Sequence, residues 1–157
     1  MTATAPVRFR GEFAQRLDDK ARLAIPVAYR SALDTAGDKR LILVRSTSGP
    51  CIQAWALRDW EAYENKILAL PPSDPTVQKL LRFVVSGATP VEPDSHGRVV
   101  LPPTLRAYAG LDAAAEVMLV ATINRFEIWR REAWNAQAET VAAELPMWSA
   151  DLARLGL

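Results

Sequence analysis

The sequence predicts a β-rich α+β chain made of two copies of one module, and three observations carry that expectation. The segment Asp18-Asp19-Lys20-Ala21-Arg22-Leu23-Ala24-Ile25-Pro26 returns 76 positions later as Asp94-Ser95-His96-Gly97-Arg98-Val99-Val100-Leu101-Pro102. A fixed period in a short chain marks an internal duplication. The match extends outward, pairing Gly11 with Gly87, Arg30 with Arg106, and the run Leu41 to Val44 with Val117 to Val120. After a two-residue shortening the period becomes 74, and Trp55 and Trp60 return as Trp129 and Trp134.

The elements follow in order. Val7, Phe9 and Phe13 alternate as a first strand. Asp18-Asp19-Lys20 is turn chemistry. Leu23 and Ile25 alternate with Arg22 and Ala24 in a second strand, so these two strands are expected to form a hairpin. Pro26 stops the second strand and suits the opening of a helix, where its missing N–H costs nothing. That helix runs through Tyr29, Ala32 and Leu33 to a break at Gly37. Leu41 to Val44 is continuously apolar and predicts a strand buried on both faces. Ser46 to Pro50 is a turn, and Ile52 to Trp55 a fourth strand. Trp60, Tyr63, Glu64, Ile67 and Leu68 fall at helical spacing, with Asp59 available as an N-cap.

Leu70-Pro71-Pro72-Ser73-Asp74-Pro75 is a linker. Val77, Leu80, Leu81, Val84 and Val85 then predict a connecting amphipathic helix. The second module repeats the plan. It has a turn at Asp94 to Gly97, a strand at Arg98 to Leu101, a short helix at Pro102 to Ala109 stopped by Gly110, and strands at Val117 to Ala121 and Phe126 to Trp129. A helix runs from Ala133 to about Leu145, ended by Pro146. The tail Met147 to Leu157 is expected to add one short amphipathic turn capped by Ser149. The expected organisation is a module at 7–57, a helix, linker and connecting helix at 58–82, a second module at 83–131, and a C-terminal helical segment at 132–157. A module of roughly 50 residues is marginal for a core of its own. Two copies in one chain are therefore expected to complete each other about a pseudo-two-fold axis.

Composition bounds the function. Of 157 residues, 50% are apolar and 24% charged, ordinary for a globular protein. No apolar run approaches the roughly 18 residues that span a bilayer. Met1 to Pro6 lacks the apolar centre of a signal peptide. One cysteine, Cys51, excludes an internal disulfide and a multi-cysteine zinc site, which makes a cytosolic location the default. Net charge is only +1, yet Arg8, Arg10, Arg16, Lys20 and Arg22 face only Glu12, Asp18 and Asp19 in the first 22 residues. That bias suits an anionic partner, or simply a solvated charged face.

The repeated Asp-x-x-x-Arg is the candidate site. An arginine at a turn offers five donors in a fixed fork, suited to phosphate or to guanine O6 and N7 in the major groove, which admits a two-stranded β-ribbon. Asp18 and Asp94 either orient Arg22 and Arg98 or staple their own turns. His96, the only histidine, lacks companions for a metal site. Neither a nucleophile with an oxyanion pocket nor a glycine-rich phosphate loop is present, so no enzyme activity and no cofactor are expected. The paired tryptophans read as core anchors rather than as base-stacking platforms.

Phe9 to Glu12, Leu17 to Pro26, Asp94 to Pro102, Leu105-Arg106-Ala107-Tyr108-Ala109-Gly110-Leu111 and Asn124 to Trp129 together resemble the MraZ family. The resemblance implies two tandem AbrB-like swapped-hairpin modules forming a pseudo-two-fold β-barrel with flanking short helices. It implies a bacterial, nucleoid-associated transcriptional regulator of the division and cell-wall gene cluster, its own promoter included. It further implies binding to short G-rich direct repeats and assembly into homo-oligomeric rings. On this reading Arg22 leads the DNA contacts, with Arg98, Lys20, Arg16 and Arg10, and Asp18, Asp94 and Gly97 shape the tips. The partner is double-stranded DNA, with no membrane and no small-molecule substrate. The rival is an antitoxin-like protein-binding module of the AbrB type. One departure stands out: the family has glycine where this chain has Ala21. At positive φ an alanine costs roughly 1–2 kcal/mol, which predicts a different or less rigid first turn.

Overall fold

A computed structural model describes residues 4–157; Met1, Thr2 and Ala3 of the N-terminal stretch lie outside the described residues. The first module contributes β1 (Glu12–Arg16), β2 (Arg22–Ala24), α1 (Val27–Ala36), β3 (Leu41–Arg45), β4 (Ile52–Ala56) and α2 (Leu57–Leu68). Helix α3 (Pro75–Phe83) and a 3-10 turn (Val85–Gly87) lead into the second. That module holds β5 (Thr89–Val91), β6 (Arg98–Val100), α4 (Pro103–Ala109), β7 (Glu116–Ala121), β8 (Arg125–Arg130), α5 (Arg131–Ala143) and α6 (Leu145–Arg154).

The strands do not pair as the chain order suggests. β1 forms no ladder with β2; it pairs with β7 of the other module. β5 pairs with β3, and β2 pairs with β6. The result is a six-stranded antiparallel sheet, β1-β7-β8-β4-β3-β5, and a separate two-stranded ribbon, β2-β6. The expected local hairpin is therefore a turn whose two arms enter different sheets. Exchanging each strand for its repeat counterpart reverses the sheet order and leaves it unchanged. In the ribbon Leu23 faces Val99, its own counterpart. In the sheet Gln53 faces Glu127, likewise its own counterpart. A pseudo-two-fold axis passes through both pairs, as at the centre of an isologous dimer interface. The sheet is not closed into a barrel, since β1 and β5 remain its two edges. Pro90 in β5 sits where an edge tolerates a missing N–H.

One core spans both modules. Leu23, Ile25, Val99 and Leu101 meet Leu41, Leu43, Ile52, Leu119 and Ile128 between ribbon and sheet, sealed by α1 and α4 through Leu33 and Leu105. Phe9, Tyr29 and Phe126 stack edge-on or tilted at its centre, and the Tyr29 hydroxyl donates to Gly11 O at 2.6 Å. α1 and α4 end at Gly37 and Gly110, both left-handed, as the sequence predicts. On the outer face of the sheet, α2, through Trp60, and the end of α3 cover Ile42, Val44 and Trp55. On the other half, α5 covers Val120 and Trp129 with Trp134. The tryptophans are core anchors, as their spacing indicates.

Three local expectations change. Asp59 does not cap α2, which starts at Leu57 after Ala56; instead its Oδ2 accepts the Val7 N–H at 3.0 Å. The connecting helix stops at Phe83, and Val84 and Val85 continue into the 3-10 turn. The tail is a ten-residue helix opened, not blocked, by Pro146. Ser149 lies inside it and donates to Pro146 O.

Because both modules share one core, unfolding should be a single transition. Far-UV circular dichroism and tryptophan fluorescence should give the same urea midpoint. Leu23→Ala, at the axis, should cost about 2–5 kcal/mol while keeping that coincidence.

Candidate nucleic-acid interface

Each turn is organised by its aspartate. Asp18 Oδ1 accepts the N–H groups of Lys20 and Arg22, both at 2.9 Å, and its Oδ2 accepts Arg22 Nε–H at 2.6 Å. Asp94 repeats this with His96 N–H at 2.8 Å, Arg98 N–H at 3.0 Å and Arg98 Nε–H at 3.2 Å. The two readings of the aspartates therefore hold together: each staples its turn and orients its arginine. Carboxylates that accept this many N–H groups favour the charged form. Arg22's backbone N–H leads the effect that lowers the Asp18 pKa below its ordinary value, and Arg98's backbone N–H does so for Asp94.

Ala21 does not change the turn. It adopts φ 58° beside Gly97 at φ 75°. Ala21 N–H donates to Asp18 O at 3.1 Å and Gly97 N–H to Asp94 O at 2.9 Å. The expected alternative turn is absent because the Asp18 hydrogen bonds impose the same loop on the strained residue. Each tip is also seated on the other module. Ile25 N–H donates to Gly97 O at 2.8 Å, and Leu101 N–H to Ala21 O at 3.1 Å. Arg30, which donates from Nε to Ile25 O at 3.0 Å, lies so close over Gly97 that a Cβ there would sit 2.6 Å from its Nε. Arg106 makes the counterpart bond to Leu101 O at 3.2 Å. These two buttressing arginines were visible in the sequence as a repeated pair without a role.

The ribbon brings both motif arginines to one face. Arg22 lies opposite Val100, and Ala24 opposite Arg98. Leu23 and Val99 point into the core, so the intervening residues face outward. Arg22 and Arg98 are diagonal neighbours on that outer face, with backbones about 7–8 Å apart. Their side chains are 28% and 30% exposed, and among the described residues each pairs only with its own aspartate. Nε is engaged, and among the described residues the four terminal N–H donors of each fork have no protein partner. The turns lie at opposite ends of the ribbon, with Lys20 exposed at one and its counterpart His96 at the other.

Other sequence candidates fall elsewhere. Arg16 bonds Glu116 Oε1 at 2.8 Å and ties the end of β1 to β7. Arg10 precedes β1 at its far end from the turn and lines a groove with Arg8 and Arg58. The structure does not bring Arg10 to the ribbon. Val100 on the outer face was missed, because an apolar residue in a strand reads as core.

The remaining chemistry is sparse. Cys51 is buried, and burial pushes its thiol up to about 12, far from a reactive thiolate. Among the described residues no cluster of His, Cys, Asp or Glu is suited to a metal. No helix among them is long and apolar enough to cross a membrane.

Comparison with known proteins agrees with the duplication. A family model described as "MraZ protein, putative antitoxin-like" matches residues 8–83 and again 84–155. The "Transcriptional regulator MraZ" of Shewanella denitrificans is 40% identical over 131 residues, covering 83% of this chain and 85% of its own. The protein of the same name from Shewanella sp. MR-7 is 40% identical over 140 residues, covering 87% and 91%. Both relatives carry the name of a regulator, not of an enzyme.

The tip geometry has a sign that can be measured. Gly97→Ala should lower the unfolding free energy by about 1–2 kcal/mol from the left-handed backbone alone, and further through the Arg30 contact. Ala21→Gly should raise it by up to about 1 kcal/mol. Urea denaturation of the two variants beside the parent checks both signs.

Proposed function

The chain belongs to the MraZ family, and from that premise we propose that it is a sequence-specific DNA-binding transcriptional regulator that reads DNA with the outer face of the β2-β6 ribbon. The observation that carries this reading is the diagonal pair Arg22 and Arg98, oriented by Asp18 and Asp94 on one exposed face. A β-ribbon fits the major groove, and arginine forks match guanine O6 and N7 there. Lys20 stands where phosphates would pass. Arg16, held by Glu116, and Arg10, at the far end of β1, are secondary contacts at most. In this reading the DNA-binding modules are 7–57 and 83–131. The segments 58–82 and 132–157 serve their outer coverings.

The family resemblance extends the proposal. The protein acts as a repressor of the division and cell-wall gene cluster, its own promoter included. It binds short G-rich direct repeats and works in the cytoplasm at the nucleoid. It does so as a homo-oligomeric ring. Two apolar surfaces favour such assembly. A groove of about 560 Å³ between α5, α6 and the sheet is lined by Trp134, Val141 and Trp148. On the other half of the molecule Leu68, Leu81 and Phe83 are exposed on α2 and α3. The surfaces occupy pseudo-equivalent places yet differ chemically, so contact between them is heterologous and propagates head to tail until it closes. The antitoxin-like alternative would use the same groove for a different protein.

Binding to duplex from upstream of its own gene, against scrambled duplex at two salt concentrations, tests the DNA reading. Affinity should fall with salt. Arg22→Ala and Arg98→Ala should each cost about 1–3 kcal/mol of specific binding; intact specific binding in the double variant would refute the ribbon mechanism. Sedimentation velocity should show an assembly of several chains at DNA-binding concentrations, and a monomer there would remove the ring from the proposal.

A further inference from the structure

Val100 is the most exposed residue of the ribbon, at 58%. It lies on the outer face directly opposite Arg22. Opposite Arg98 stands Ala24, the repeat counterpart of Val100 and a partly covered residue. The pseudo-two-fold face is thus symmetric in its arginines and asymmetric in its apolar groups. Burial does not explain Val100, since the core contact at this level is made by Leu23 and Val99. The major groove presents one apolar group, the C5-methyl of thymine. Directly opposed strand residues have Cβ atoms about 4.5–5.5 Å apart, and bases rise about 3.4 Å per step. A valine opposite Arg22 therefore reaches a base one or two steps from the one that Arg22 contacts.

We propose that Val100 is a specificity-determining residue that packs on a thymine methyl beside the guanine contacted by Arg22. The two ends of the ribbon then read unequal sequences, guanine with thymine at the Arg22–Val100 end and guanine with less restriction at the Arg98–Ala24 end. A near-symmetric face thereby gains a direction, which is what repeats in one orientation require. This inference rests on the DNA reading above and names one more base and the residue that reads it.

The test removes the thymine methyl on one side and the two valine methyls on the other. Each thymine of the upstream duplex is replaced singly by uracil, which lacks only the methyl. Binding of the parent chain and of Val100→Ala is measured on each duplex, with urea denaturation to compare their stabilities. The parent should lose roughly fourfold in affinity at one thymine per repeat, the value of burying one methyl-sized group. Val100→Ala should bind the thymine duplex about as weakly as the parent binds that uracil duplex, and show no further loss on uracil. Equal uracil losses in the parent and in Val100→Ala would overturn the proposal. So would the absence of any uracil effect in the parent, including the case in which Val100 is covered by a neighbouring protomer. Arg22→Ala on the same duplex separates the two ideas. If it abolishes specific binding while uracil has no effect, the ribbon reads DNA without Val100; if it has no effect, the base-reading face itself is wrong.

Discussion

The structure depends on one cross-strand pair, Leu23 facing Val99. Each is the other's counterpart in the repeat, so a residue pairs in effect with its own image. That registers β2 antiparallel to β6 and places the axis. It also decides that neither module keeps its first two strands together. With β2 committed to β6, β1 must find its ladder elsewhere, and it finds β7; β5 does the same with β3. The large apolar residues of ribbon and sheet then face one another across a single core. A half-chain would expose that core, so each module, marginal in size by itself, completes its core with the other.

The same pair builds the candidate site. When Leu23 and Val99 point inward, their neighbours must point outward, because strand side chains alternate. Arg22 and Arg98 thus reach one surface by backbone geometry. Asp18 and Asp94 supply what geometry does not, a fixed direction for each guanidinium. The first turn holds Ala21 in a conformation that favours glycine. A strained residue persists only where its surroundings over-determine it, and here three Asp18 hydrogen bonds and the Leu101 N–H on Ala21 O do so.

Much of this was legible in the sequence. The repeat, the doubly buried Leu41 to Val44, the helix stops at Gly37 and Gly110 and the tryptophan anchors each follow from local chemistry that tertiary structure preserved. The exchange of strands was implied by the family resemblance to swapped hairpins but was not legible in the residue pattern itself. Alternation at Phe13 or Leu23 tells which side of a strand is buried, and nothing in it names the partner. Asp59 looked like a cap because it stands near a helix start, yet the Val7 N–H, 52 residues away, claimed it. Arg16 read as a free cation until Glu116 appeared beside it. Val100 went unmarked because nothing in a lone valine distinguishes an exposed one from the buried majority, and only the register with Arg22 places it on the outer face. Local periodicity predicts elements; long-range pairing sets which groups meet.

A near-neutral chain that carries aspartates on a proposed DNA surface needs a physical account. A bare carboxylate facing phosphate would be repelled, and a bare arginine would lose rotamer freedom on docking. The Asp18–Arg22 and Asp94–Arg98 pairs reduce both costs. The carboxylate charge is spent on N–H donors within its own turn, and the guanidinium is held by Nε with its terminal donors left without a partner among the described residues. What remains is directional hydrogen bonding with little net charge, which favours discrimination between bases over non-specific attraction to the backbone. On the proposed reading, such a surface binds modestly by itself. Its affinity grows when several copies meet repeated sites at once, because each later contact is intramolecular. If the chain assembles as proposed, weak charge and multiple copies would work together: many weak, selective faces distinguish a row of repeats from single chance matches more sharply than one strongly basic face does.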